Sequence, residues 1–184
     1  MSHFSRSGSL ALAVCFGYYF VCVRPAFSQQ SQPDPAGVVK KYCRLDFDGV
    51  RLDGESWKQV RPLIAWEDEP GWDTVVVVFG FHLSLSARSE NHATVAVTFD
   101  VLGTLAGDEP LNVGRKSEVV EFDLRRIKGV WRIQKPVIAP HVSIAGVSKN
   151  IKRMMASEPE GSDRRRKLAV IVHQLQLGSK GEKH

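Results

Sequence analysis

The sequence predicts an α+β domain in which N-terminal helices pack on a curved, mainly four-stranded antiparallel sheet, with a C-terminal helical extension. Three observations predict it. Apolar residues recur at helical spacing before Trp66, the period changes to two from Thr74 onward, and helical spacing returns after Val142. Antiparallel strands with one apolar face need helices to cover that face, and the early helices supply the matching stripe.

The first segment, "MSHFSRSGSLALAVCFGYYFVCVRPAFSQQ", has a weakly positive start at His3 and Arg6. An apolar or small-residue run follows from Leu10 to Val23, then a small-x-small exit at Ala26-Phe27-Ser28. This is the three-part plan of a secretory leader over residues 1–28, with cleavage after Ser28. The run is shorter than a membrane span and Arg24-Pro25 closes it, so no stable span is expected once the leader is removed. Export to a bacterial periplasm or the exterior is the expected location. Of the three cysteines, only Cys43 lies beyond the leader, which leaves no intramolecular disulfide to support the fold.

Loss of Arg6 and Arg24 lowers the formal charge from +5 to +3. The remaining basicity gathers in "SKNIKRMM", "DRRRKLAV" and "GSKGEKH". No aromatic residue stands among those charges, so the stacking surface of a single-strand binder is missing, and nucleic acid is not an expected partner.

"QQSQPDPAG", residues 29–37, reads as a polar, proline-broken linker. "VVKKYCRLDFDGVRLD" places Val38, Tyr42, Leu45 and Phe47 at helical spacing, and "GESWKQVRPLIAW" does the same with Trp57, Val60, Leu63 and Ile64. Pro62 divides this second segment into short helices. "WEDEPGWD" turns at Pro70-Gly71; its acids are expected to face water while Trp66 and Trp72 clamp the mouth of a pocket between helix and sheet.

"TVVVVFGFHLSLSA" and "ATVAVTFDVLGTLA" form a hairpin across "RSENH". "SEVVEFDLRRI" and "VWRIQKPV" form another across Lys128-Gly129, where glycine supplies a positive φ. Parity puts Phe79, Phe81, Leu83 and Leu85 on one dry face with Val95, Val97, Phe99, Val101, Val120, Phe122, Leu124, Trp131 and Ile133. His82, Asp100 and Asp123 fall on a wet face. "VSIAGVSKNIKRMM" predicts a helix burying Ile144, Val147, Ile151 and Met154 or Met155. "RRRKLAVIVHQLQLG" predicts another burying Leu168, Ile171, Val172 and Leu175 and stopping at Gly178; three arginines at its start oppose the helix dipole, which leaves a strand as the alternative.

Helices followed by long curved antiparallel strands, with "VVKKYCRLDFDGVRL", "SWKQVRPLIAWEDEPGWD" and the paired final strands "VVEFDLRRIKGVWRIQKP", resemble the nuclear transport factor 2-like superfamily, which includes ketosteroid isomerases. The resemblance covers residues 38–142, leaving 143–177 as the helical extension and 178–184 as a disordered basic tail. It implies a cone with a pocket between the helices and the concave sheet, and dimerisation, here through the polar sheet face. It transfers no catalytic residue, because no position matches the enzyme members' pattern.

The pocket candidates are Tyr42, Trp57, Trp66, Trp72, Phe79, Phe81, Phe99, Phe122 and Trp131; the same residues serve equally well as a filled core. No metal site, cofactor or nucleophile is expected: the histidines lack ligand spacing, one cysteine makes no zinc site, and neither a G-x-S-x-G elbow nor a phosphate loop is present. Three functions are weighed, of which the first is the expected one and the other two are its alternatives. They are a non-catalytic exported domain for a small apolar ligand or protein partner, an isomerase- or dehydratase-like enzyme, and an envelope adaptor.

Overall fold

The computed structural model describes residues 34–180. The expected leader, the first part of the expected linker and the end of the basic tail lie outside them. Helix α1 spans Pro35–Phe47, so the last residues assigned to the linker are its first turn. Asp34 caps it, accepting from the Gly37 N–H at 2.6 Å, and Pro35 sits where no intrahelical N–H is needed. Gly49, at φ 82°, turns the chain out of α1 in a conformation that side chains resist.

The second segment at helical spacing forms no α-helix. Two short 3-10 turns, Ser56–Gln59 and Arg61–Leu63, take its place, and a first 3-10 turn, Val50–Leu52, precedes them directly after Gly49. Gly54 and Pro62 interrupt the hydrogen-bond ladder too often for an α-helix to propagate. Val60, Leu63 and Ile64 are buried nonetheless, since 3-10 turns can also present one apolar side to a sheet.

The sheet has strands β1 (Thr74–Arg88), β2 (His92–Ala106), β3 (Asn112–Ile127), β4 (Val130–Lys135) and β5 (His141–Ser143), in the order β4-β3-β2-β1-β5. Neighbours among β1 to β4 are antiparallel, and Lys128 and Gly129 both take positive φ in the β3–β4 turn. The curled sheet is mixed rather than wholly antiparallel, because β5 adds parallel to β1 at Val76–Val78. "PVIAPH" reads as the end of the sheet, but its last residue, His141, opens this fifth strand. β3 also begins at Asn112, five residues before Ser117, where the sequence pattern starts it.

Two cores lie on opposite faces. On the α1 side, Val38, Val39, Tyr42, Val60 and Ile64 meet Val95, Val97, Phe99, Phe122, Leu124, Trp131 and Ile133. On the other, Val77, Leu102, Leu105 and Leu111 meet Val142 and two C-terminal helices, α2 (Ile144–Ser157) and α3 (Asp163–Lys180), through Val147, Ile151, Leu168, Ile171 and Leu175. The face expected to be wet is therefore dry at one end.

β-bulges cause this difference. Irregularities between Val77 and Gly80 on β1, and between Val101 and Gly103 on β2, shift the parity of the pairing. Phe79 consequently packs against the second core with Val75 and Val77, away from Phe81 in the first. The polar face that the sequence offers to a second subunit is partly covered by α2 and α3.

Helix α3 forms despite its arginines because each finds an oxygen. Arg164 pairs with Asp108 at 2.8 Å and Glu158 at 2.7 Å, Arg165 donates to the Glu158 carbonyl, and Arg166 pairs with Asp163. The helix runs through Gly178 to Lys180. At Gly178 a Cβ would lie 2.8 Å from Leu102, so glycine there permits close packing on β2 and does not stop the helix. The Ser143 hydroxyl caps α2 by accepting from the Gly146 N–H at 3.0 Å.

Candidate functional site

Tyr42 and Asp46 sit one turn apart on the buried side of α1. The chain then reverses, and the first 3-10 turn sends Arg51 back beneath them, where it is only 6% exposed. All five of its N–H donors are used. Nη1 donates to the Tyr42 hydroxyl at 2.7 Å and to Asp46 Oδ2 at 3.1 Å. Nη2 donates to Glu69 Oε1 at 2.5 Å and to the Ile138 carbonyl at 2.7 Å, while Nε reaches Glu69 Oε1 at 2.8 Å. A planar fork with fixed donor directions is the group suited to such a site; lysine has neither the number nor the geometry.

Second contacts extend the cluster. Glu69 Oε1 also accepts from Trp72 Nε1 at 2.8 Å, and the guanidinium lies 5.5 Å from the Tyr42 ring centre and 5.9 Å from that of Trp72. Asp46 Oδ2 accepts from the backbone N–H of His141 at 2.9 Å. The His141 ring lies 4.3 Å from the Phe99 ring centre, and its Nδ1 faces the Ala139 carbonyl at 2.8 Å. One arginine thus clasps α1, the tryptophan corner and the chain entering β5.

Burial dominates the electrostatics. It raises Asp46 to about 6, with Arg51 and the His141 N–H pulling the other way. Burial also raises the Tyr42 hydroxyl, helped by Asp46, and lowers His141. For Arg51 burial opposes the charge, but Asp46, Tyr42 and Glu69 outweigh it and hold its pKa above the ordinary value. Burial pushes the Cys43 thiol up, away from the reactive thiolate. Asp46 Oδ1, Glu69 Oε2, Trp66 Nε1 and His141 Nε2 are buried without a hydrogen-bond partner among the described residues.

The sequence candidates do not share one pocket. Tyr42, Phe99, Phe122 and Trp131 are buried in the first core, where Tyr42 meets Phe122 edge-on at 5.6 Å. Trp57, Trp66 and Phe81 pack at its margin, and Phe79 belongs to the second core. Nor do Trp66 and Trp72 frame a single mouth. Trp66 meets Tyr42 edge-on at 6.4 Å, whereas Trp72 lines a groove on the side of α2 and α3. Of the four acids in "WEDEPGWD", Glu67, Asp68 and Asp73 are exposed as expected, but Glu69 turns inward. His82 and Asp100 are exposed, and Asp123 pairs with Lys135 at 3.1 Å near the surface.

Arg51 was not among the candidates. Its signal is "DFDGVRLD", an arginine among apolar residues five positions after an aspartate. The glycine between them removes the helical spacing by which such a pair is ordinarily recognised.

Three hollows flank this frame. The groove containing Trp72 has a volume of about 490 Å³, and its walls include Leu52, Val75, Leu105, Ile151 and Met154. A second, of about 430 Å³, lies between α1 and β1, and a third, of about 250 Å³, lies between the first 3-10 turn and α2. None of the three is lined by Tyr42, Asp46, Arg51, Glu69 or His141. Among the described residues no helix is long and apolar enough to cross a membrane, and no three His, Cys, Asp or Glu side chains gather as a metal site.

The fold and the site define an α+β domain with a buried arginine clasp and open surface grooves. No protein-family model, curated protein or solved structure matches the chain.

Proposed function

We propose that this chain is an exported, non-catalytic binding domain that takes a small apolar ligand in the groove between the β1–β2 end of the sheet and α2–α3. The observation that carries the reading is the groove itself. A concavity of about 490 Å³ has the size of a small-molecule site, and its walls are mainly aliphatic with Trp72 at one side. Asp73 and Asn150 are polar groups able to orient a ligand there. The leader pattern at the N-terminus supports export. The order of elements supports a cone of the nuclear transport factor 2-like kind, with its working groove beside the cone and not within it.

The test uses Nile red, an apolar dye whose emission rises in a dry site. We expect saturable emission with the wild-type protein and loss of most of it in Met154→Trp, which fills the groove from its half-buried rim. Dye uptake that ignores Met154→Trp, or no uptake at all, would overturn the reading.

One observation speaks for an enzyme. Asp46 is a buried carboxylate raised to about 6 beside Tyr42 and His141, the pattern of a poised acid or base. A catalytic carboxylate must also touch substrate, and Asp46 is 3% exposed and lines none of the three hollows described. Its partners hold segments of the chain together. The brace is the better reading.

A further inference from the structure

The groove between α1 and β1 shares no lining residue with the apolar groove and has a different chemistry. Its strand side is an open sheet edge. β2 covers one side of β1 as far as Arg88, but on the other side β5 pairs only with Val76–Val78. From Gly80 onward, no strand among the described residues pairs with the outer edge of β1. Such an edge presents alternate N–H and C=O groups as a template for another strand. At Gly80 a Cβ would meet nothing within 4 Å, so the sheet face beside this edge is open there.

The helix side sets the chemistry of the approaching chain. Lys40 and Arg44 are exposed one turn apart on α1, and neither forms an ion pair among the described residues. Arg44 lies over the Phe47 ring at 5.7 Å, and no acidic side chain lines the groove. Phe47 meets Phe81 edge-on at 5.8 Å, which gives an apolar floor between the cations and the strand. From Lys40 to Phe47 the helix rises about 10 Å, the span of roughly three residues of extended chain.

We propose that this groove receives an extended acidic peptide from a protein partner, added as a strand to the β1 edge at Gly80–Leu83. The peptide backbone bonds to the edge, an apolar side chain rests on Phe47 and Phe81, and an acidic side chain meets Lys40 and Arg44. Main-chain bonds then provide affinity, while the cations and the aromatic floor provide selectivity. The proposal does not depend on the apolar-ligand reading.

The experiment uses the full chain and fluorescein-labelled hexapeptides of alternating valine and glutamate or valine and lysine, followed by anisotropy. The glutamate peptide should bind, the lysine peptide should bind about tenfold more weakly, and the exposed pair Lys40→Glu/Arg44→Glu should reverse the preference. Hydrogen exchange should slow at residues 80–83 when the glutamate peptide is added, a change that attraction to α1 alone does not produce. Equal binding of both peptides, or exchange at 80–83 unchanged at saturation, overturns the proposal. So does a dimer in sedimentation equilibrium that the glutamate peptide dissociates, since that result assigns the edge to a second copy of this chain.

Discussion

The α1 side of the sheet encloses an arginine, an aspartate and a histidine among its aromatic residues, whereas the fully buried residues of the core on the α2–α3 side are aliphatic, with Phe79, Met154 and Met155 packed at its margin. Both cores are dry, but they specify structure differently. An aliphatic core is stabilised roughly in proportion to the area it buries and tolerates exchange among side chains of similar volume. A buried arginine whose five donors are assigned to four partners tolerates one arrangement, because each misplaced partner leaves a donor or acceptor without water or protein. The first core sets where the tryptophan corner and the chain entering β5 must lie. The second chiefly adds stability and holds two helices against the sheet.

The largest expected effect tests that contrast directly. Arg51→Met should destabilise the protein by about 3–5 kcal/mol in urea unfolding, because Asp46 and Glu69 remain buried without their counter-charge. Replacing all three, Asp46→Leu/Arg51→Met/Glu69→Leu, should recover much of the loss. If the triple variant is as unstable as the single one, the clasp supplies net stability and not merely position.

In the second core, Leu175→Ala should cost about 2–5 kcal/mol through lost burial and a cavity, while Leu175→Met should cost less than about 1.5 kcal/mol. No conservative exchange should be as mild at Arg51. Arg51→Lys should fall close to Arg51→Met, since lysine cannot span Tyr42, Asp46, Glu69 and the Ile138 carbonyl together.

The smallest expected effect is in pH dependence. Asp46 titrates at about 6 in the folded protein, against 3.8 for an ordinary aspartate. The folded state therefore binds this proton more tightly, and the stability this gives is lost as pH rises from about 4 to about 6. His141 acts in the opposite sense. Burial lowers its pKa, so its contribution is present above its ordinary value of 6.5 and is lost as pH falls from there through the lowered pKa of the folded state. The two terms partly cancel in the wild type. Comparison of unfolding free energies for wild type and Asp46→Asn between pH 4 and 7 isolates the aspartate, and the wild-type advantage should shrink as pH rises.

The two cores also differ in how far they could be read along the chain. Val95, Val97, Phe99 and Val101 alternate cleanly, and their burial follows from the period of a strand. Val147, Ile151, Leu168, Ile171 and Leu175 follow from helical spacing in the same way. Phe79 does not, because a bulge is a property of two paired strands and leaves no mark in the period of either one. The short β5 escaped for a related reason: three residues between Pro140 and the start of α2 carry no periodicity, and only the edge of β1 makes them a strand. Glu69 reads as one of four acids in a turn, and nothing local distinguishes the one that faces inward.

The sequence by itself determined the α+β class, the long hairpins, the apolar faces of α1, α2 and α3, and the turn at Lys128-Gly129. These depend on interactions within a few residues and on the repeat of a single element. Tertiary structure alone decided the bulges that divide the aromatic residues between two faces, the parallel addition of β5, and the partners of Arg51. Asp46, Glu69 and Ile138 lie 5, 18 and 87 positions from that arginine. A charge can be buried there only when the folded chain delivers all of them to one point, since burial without them costs more than the surrounding core can offset.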